Sequence, residues 1–186
     1  MHNGDLKHNK RIMKIILSIM AIPLVMALLL SPPAESVDDI DIKPDSTLIE
    51  GYLFYRNHGI DFSYRSRIVL FNTLFPYMGT PHRSRAGRDG LDCSGLVRTV
   101  YNQAFELNLK GSSRDIFRMV QEIEVHELQE ADLLFFKINS TQINHVGIYL
   151  GNNKFAHASS VNGVVINDLS ERYYQQHFFK AGRLPV

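Results

Sequence analysis

The chain has one cysteine, Cys93, in 186 residues, so no internal disulfide can form. It has no Cys-x-x-Cys and no His-x-x-x-His pair, the spacings on which structural zinc sites are usually built. It has almost no excess charge. Lys and Arg number 20 against 19 Asp and Glu, a net of +1, which excludes a nucleic-acid partner held by general electrostatics. It has no internal repeat and no low-complexity tract. The apolar stretch Ile15 to Leu30 covers 16 residues and contains Pro23, whereas a spanning helix needs about 20 apolar residues. No cysteine lies near residue 30, which excludes a lipid-modified N-terminus.

At 45% apolar and 21% charged residues, the chain has the composition and length of one globular domain with a single core. Its small basic excess sits at the start. Residues 1–36 carry four basic and two acidic residues, leaving sixteen basic and seventeen acidic for the rest. A basic stretch ending at Lys14, then uncharged residues 15–30, then Ala34-Glu35-Ser36, is the pattern of a secretory leader. The alternative is an uncleaved anchor in the inner membrane through residues 15–30. Either reading puts the domain outside the cytoplasmic membrane, in the periplasm or cell envelope, where a lone cysteine fits a reactive thiol better than a disulfide scaffold. Residues 37–47, proline-containing and acidic, read as a linker, and residues 48–186 as the domain.

Within the domain, a short helix is expected over Leu48 to His58, and a second from Arg67 that ends before Pro76. Gly79 to Gly90, with three glycines, Pro81 and the arginines Arg83, Arg85 and Arg88, reads as an exposed loop. From Cys93 to Phe105, Leu96, Val97, Val100, Tyr101, Ala104 and Phe105 make one apolar face at the helical period, with Asp92 placed to cap it. Ser113 to Val120 suggests another helix. The period then changes: Leu133-Leu134-Phe135-Phe136, Asn144 to Leu150, Lys154 to Ser159 and Val161 to Asn167 read as strands. Helices first and strands after imply an α+β fold, with helices packed on an antiparallel sheet.

Cys93 therefore opens a helix, where unpaired backbone N–H groups and the helix dipole favour a thiolate, and Ser94-Gly95 leave room for an oxyanion at the backbone amides. The bland alternative is a buried structural cysteine. The histidines tip the balance. With a three-residue Gly151-Asn152-Asn153 loop, Leu150 faces Lys154, Gly147 faces His157, and His145 lies diagonal to His157 on the same face. His145 is then a base for the thiol and His157 the group that orients it. A strict two-residue loop would put the histidines on opposite faces. Gly147 keeps their face open. Cys93 with two histidines is also three zinc ligands, but a fourth is lacking, so neither a metal nor any cofactor is expected.

Three blocks give the chain its resemblance. They are Asp89-Gly90-Leu91-Asp92-Cys93-Ser94-Gly95-Leu96-Val97, Asn144-His145-Val146-Gly147-Ile148-Tyr149-Leu150-Gly151, and Phe155-Ala156-His157-Ala158-Ser159, separated by 52 and 12 residues at their Cys and His members. From about Arg67 onward the chain resembles the NlpC family of papain-like cysteine peptidases that cut peptidoglycan stem peptides. The resemblance implies a papain-like core with Cys93 as nucleophile, His145 as base and His157 as orienting residue. It also implies cleavage after D-glutamate, next to the diamino acid, by an enzyme expected to be a monomer. Three segments depart from the family pattern. His82 stands in Gly79-Thr80-Pro81-His82 where the family usually has an oxyanion-hole tyrosine, with Tyr77 a second candidate by a shifted alignment. Glu130-Ala131-Asp132 replaces Pro-Gly-Asp, and Lys110-Gly111-Ser112 replaces Pro-Arg-Thr/Ser. Ser94 and Asp92 complete the set of substrate-site candidates. A non-catalytic wall-binding domain, or an amidase or acyltransferase on the same fold, are the alternatives.

Overall fold

The computed structural model describes residues 46–63, 65–82 and 91–185. The expected leader, most of the linker and the arginine-rich part of the loop lie outside these residues. The element order is α1 (Ser46–Asn57), α2 (Ile68–Leu74), a 3-10 turn (Phe75–Tyr77), α3 (Cys93–Phe105), α4 (Ser113–Phe117), β1 (Gln121–Ile123), a second 3-10 turn (Val125–Glu127), β2 (Leu133–Phe136), β3 (His145–Gly151), β4 (Lys154–Ser159), β5 (Gly163–Asp168), α5 (Arg172–His177) and β6 (Phe178–Arg183). Six strands form one antiparallel sheet in the order β1-β6-β2-β3-β4-β5. The α+β expectation holds. No helix among the described residues is long and apolar enough to cross a membrane.

The sheet has two apolar faces because its central strands alternate between two buried environments. Leu133 and Phe135 of β2, with Val146, Ile148 and Leu150 of β3, join Leu96, Val97, Val100 and Tyr101 of α3 and Leu70, Phe71 and Leu74 of α2 in the larger core. Leu134 and Phe136, with Tyr149, Phe155, Tyr174 and Ala181, form a second cluster. The run Leu133-Leu134-Phe135-Phe136 is apolar throughout because both of its faces are covered.

The helix over Cys93–Phe105 matches its expected limits. Its cap is as expected too: Asp92 Oδ1 accepts from the Gly95 amide at 2.5 Å. The helix stops where Glu106 takes a left-handed φ of 58°. The second helix ends at Leu74, and Pro76 sits in the 3-10 turn, where a missing N–H is tolerated. The helix after Ser112 is one turn, closed by a capping box between Ser112 and Asp115. Strands β1 and β6 and helix α5 were not expected from the sequence.

The β3–β4 turn differs from expectation in an instructive way. Gly151 pairs with Lys154, so the loop has only two residues, Asn152 and Asn153, both left-handed at φ 48° and 59°. The register shifts between Tyr149 and Gly151, however, and Ile148 still faces Ala156. The bulge absorbs the missing loop residue, so the two histidines keep a common face with a two-residue turn.

Asp132, 1% exposed, ties β2 to the far end of β6. Its carboxylate accepts from Arg183 Nε at 2.7 Å, Arg183 Nη2 at 2.8 Å and the Gln129 amide at 2.6 Å. Asp132→Ala is expected to lower stability by about 2–3 kcal/mol, the lower end for a buried pair because the Arg183 side chain is a third exposed. Urea unfolding measures it.

Candidate active site

The site forms at the rim of the sheet. α3 packs against the face carrying Val146 and Ile148, whereas His145 has the opposite parity on β3. The helix that carries Cys93 and the histidines meet because His145 is the first residue of its strand and Cys93 the first of its helix. Cys93 Sγ lies 3.9 Å from the carbonyl oxygen of Asn144. The Asn144 side chain closes the preceding loop, accepting from the Ile138 amide and donating to the Ile138 carbonyl, each at 2.8 Å.

Two cavities meet at Cys93. One of about 800 Å³ extends past Asp92, Ser94 and Arg98 toward Ser112 and Arg114. Another of about 290 Å³ is bounded by His145, His157, Tyr173 and Tyr174. His82, Cys93 and Asn144 line both. His82 is carried there by Gly79–His82, which pairs with the start of β5: Gly79 donates to the Val164 carbonyl and Val164 to the Thr80 carbonyl. Gly163, at φ 71°, makes this approach possible, since a Cβ there would lie 2.3 Å from the Thr80 oxygen. The fold thus brings together Cys93, His145, His157, His82, Asp92 and Ser94. Tyr77 is not among the residues lining these cavities; its hydroxyl donates to Gln103 Oε1 at 2.9 Å.

His145 Nε2 lies 2.8 Å from His157 Nδ1, with the rings perpendicular. His157 is 3% exposed and stacked on Phe155, and His145 lies against Phe136. Burial pushes the His145 imidazole down to about 3, and the facing His157 and His82 push the same way. Burial also lowers His157, against the opposing pull of the Asn167 hydrogen bond and the Glu171 charge. The thiol departs from the sequence expectation. Burial raises Cys93 and Asp92 adds to the rise, outweighing the backbone amides of Val146, Ser94 and Cys93 that draw it down. Both shifts favour the uncharged forms, thiol and neutral imidazole.

Behind His157 stand three residues that sequence reasoning missed. Asn167 Oδ1 is 2.9 Å from His157 Nε2, the Tyr174 hydroxyl is 3.1 Å from the same nitrogen, and Asn167 Nδ2 donates to Glu171 at 3.0 Å. One signal was available for Asn167. β4 and β5 pair His157 with Val165 and Phe155 with Asn167, so Asn167 is diagonal to His157, as His145 is on the other side. Tyr174 and Glu171 had none, because α5 is short and polar. Among the described residues, no group of three or more His, Cys, Asp or Glu side chains is arranged to hold a metal ion.

The family model for the NlpC/P60 family matches residues 75–183. The chain belongs to the NlpC/P60 family. Among curated relatives it is 35% identical over 109 residues to the probable endopeptidase NlpC homolog of Haemophilus influenzae, covering 58% of this chain and 57% of that one. It is 37% identical over 97 residues to the murein DD-endopeptidase MepS/murein LD-carboxypeptidase of Escherichia coli, covering 52% and 51%. The chain thus spans about half the length of these relatives. Among solved structures, an NLP/P60 family protein from Staphylococcus aureus, described as similar to lipoprotein, superposes with a TM-score of 0.56 at 35% identity, over 66% of this chain and 42% of that one. The papain-like NlpC/P60 core accounts for the helix on the antiparallel sheet.

Gly147 is tightly packed beside the histidines. A Cβ there would lie 2.7 Å from Phe155, 3.0 Å from the Ala156 oxygen and 3.3 Å from the His157 Cβ. Gly147→Ala is expected to cost about 1–3 kcal/mol by overpacking and to displace His157. A falling melting temperature together with slower alkylation of Cys93 would register both.

Proposed function

We propose that the chain is an exported cysteine endopeptidase acting on peptidoglycan stem peptides. The observation that carries this is the hydrogen-bonded His145–His157 pair, opening on the cavity that holds Cys93 at a capped helix N-terminus. Family membership and the names of the relatives support it. Residues 1–36 serve as the leader, or as an anchor in the inner membrane through 15–30, residues 37–47 as linker and 48–186 as the peptidase domain.

His145 takes the thiol proton as Cys93 Sγ attacks the scissile carbonyl. The tetrahedral oxyanion is met by backbone N–H groups at the start of α3 and by His82. Collapse breaks the C–N bond, and His145 returns the proton to the leaving amine. A water, deprotonated by His145, then attacks the thioester, releasing a carboxylic acid and the thiol. His157 orients the imidazole throughout. The lowered His145 and raised Cys93 make ion-pair formation part of the activated step rather than the resting state.

The bond proposed is the amide after D-glutamate, beside the diamino acid. The name of the MepS relative, a murein DD-endopeptidase, favours a second reading in which a cross-link between two D-centres is cut. Incubating the protein with muropeptides and weighing the products separates the two. Fragments split after D-glutamate support the first, and cross-linked dimers resolved to monomers support the second. No products from a protein whose Cys93 is readily alkylated would point to another acyl substrate, for an amidase or acyltransferase. Wall binding that survives Cys93→Ala, without hydrolysis by the parent, would make it a binding module.

A further inference from the structure

Asn167, Tyr174 and Glu171 lie on the side of His157 away from His145, and no step of the proposed reaction uses them. Their hydrogen bonds nevertheless determine where two protons sit. Asn167 Nδ2 faces Glu171 Oε1 at 3.0 Å, and the Asp168 amide donates to the same oxygen at 2.9 Å. A carboxylate has no proton to give, so the amide nitrogen of Asn167 faces it and Oδ1 faces His157. Oδ1 only accepts, so His157 Nε2, 2.9 Å away, carries a proton. Tyr174 agrees: its hydroxyl donates to Asn167 Oδ1 at 3.1 Å, leaving its oxygen as a second acceptor 3.1 Å from His157 Nε2. A neutral imidazole has one donor and one acceptor nitrogen. His157 Nδ1 is therefore the acceptor, His145 Nε2 donates to it, and His145 Nδ1 is left as a bare lone pair.

We propose that Asn167, oriented by Glu171 and Tyr174, is the positioning residue that selects the tautomer of both histidines and so leaves the His145 Nδ1 lone pair for Cys93. This rests on Cys93 and His145 being nucleophile and base. The opposite tautomer of His157 would set its bare Nε2 against Oδ1, an acceptor against an acceptor, and would turn the proton of His145 onto Nδ1, where it blocks transfer from the thiol. The Cys-His-His set contains no acid of its own. Glu171 is the carboxylate at the end of this chain of hydrogen bonds, and its charge acts on His157. Lys154 and Asp168, its charged neighbours on β4 and β5, are paired with each other at 2.8 Å. His58 shares a cavity with Glu171, Tyr173 flanks it on α5, His82 faces His145, and Asp92 lies beside Cys93. Glu171 is exposed, so its charge acts weakly and is screened by salt, whereas the orientation of Asn167 is not.

The test reads the thiol without peptidoglycan. Iodoacetamide alkylation of Cys93 is followed from pH 5 to 10 on the full chain, with muropeptide cleavage alongside. Asn167→Ala is expected to slow alkylation at pH 7 by about tenfold or more, with its pH midpoint about one unit higher, and to lower kcat with little change in KM. Asn167→Asp combined with Glu171→Gln keeps an acceptor at His157 and an amide donor facing the new carboxylate, and is expected to restore at least half of the parent rate. Glu171→Gln is expected to cost about threefold or less, vanishing in high salt. An Asn167→Ala profile that coincides with the parent's overturns the proposal, as does a Tm loss without a change in profile. If Asn167→Ala does not fold, the ring nitrogen shifts of the parent protein decide by NMR. Both histidines protonated at Nε2 support the proposal, and either protonated at Nδ1 instead overturns it. A parent that alkylates as described but cuts no muropeptide would sink the peptidoglycan reading and leave this one standing.

Discussion

Cys93→Ala is expected to reduce muropeptide hydrolysis by on the order of 10⁴-fold or more, with the fold intact. In the proposed reaction the thiol forms the covalent intermediate, and no neighbouring group among the described residues replaces it. Ser94 Oγ is the nearest hydroxyl in sequence, but it is 6% exposed and donates to the Asp92 cap at 2.8 Å. The substitution removes one sulfur from the edge of the larger core, a loss of about 1 kcal/mol or less. Hydrolysis and thermal unfolding of the same preparation therefore separate chemistry from stability: activity falls to background while Tm moves by a few degrees at most. Residual hydrolysis within tenfold of the parent would remove Cys93 from the reaction.

The second large effect belongs to His145 and has two readouts. His145→Gln is expected to lower kcat by on the order of 10³-fold, since it removes the group that takes and returns the proton in the proposed reaction. It also changes the acid stability. The imidazole titrates at about 3 in the fold against 6.5 in an ordinary setting, so between these values the unfolded chain binds the extra proton and the folded one does not. Stability from this group is complete above pH 6.5 and is lost as pH falls toward 3, with a limiting slope of about 1.4 kcal/mol per pH unit. His157, lowered in the same direction, adds to it. Asp168, drawn down to about 2 by Lys154 and Ser170, contributes only below its ordinary 3.8, so the window from pH 6.5 to 4 belongs to the histidines. Urea unfolding across that window should show a shallower fall in the variant than in the parent. Equal slopes would mean that His145 is solvated and titrates normally.

The parts of the fold legible in the chain are those held by local rules. α3 was readable because its apolar positions follow the helical period and Asp92 caps it, whereas the left-handed Glu106 that ends it has no signal in the sequence. β2, β3 and β4 were readable because each pairs a buried apolar run with a nearby turn. β6 was not, although it is β2's partner on the side away from β3, because pairs such as Leu133–Gly182 join residues far apart in sequence and no local period announces them. α5 was invisible because its six polar and aromatic residues carry no side-chain cap. The candidate site was legible at Cys93, His145 and His157, whose residue types and spacing imply thiol chemistry. The histidines' shared face was inferred from the wrong turn, and it holds because a bulge at Leu150 compensates for a two-residue loop.

The sequence by itself determined the kind of chemistry available: a single thiol at a helix start, two histidines two strand positions apart across a hairpin, and charge too balanced for a polyanionic partner. Only the tertiary structure decided the protonation of that chemistry. Whether a helix N-terminus lowers a thiol or burial raises it depends on the sheet packed against it, and here burial wins. Which imidazole nitrogen is bare depends on Asn167, Tyr174 and Glu171, brought behind His157 by the β4–β5 pairing and by a helix that no local pattern foretold. Composition and spacing are properties of the chain, whereas desolvation and hydrogen-bond direction are properties of neighbours, and neighbours exist only once the sheet is closed over its core.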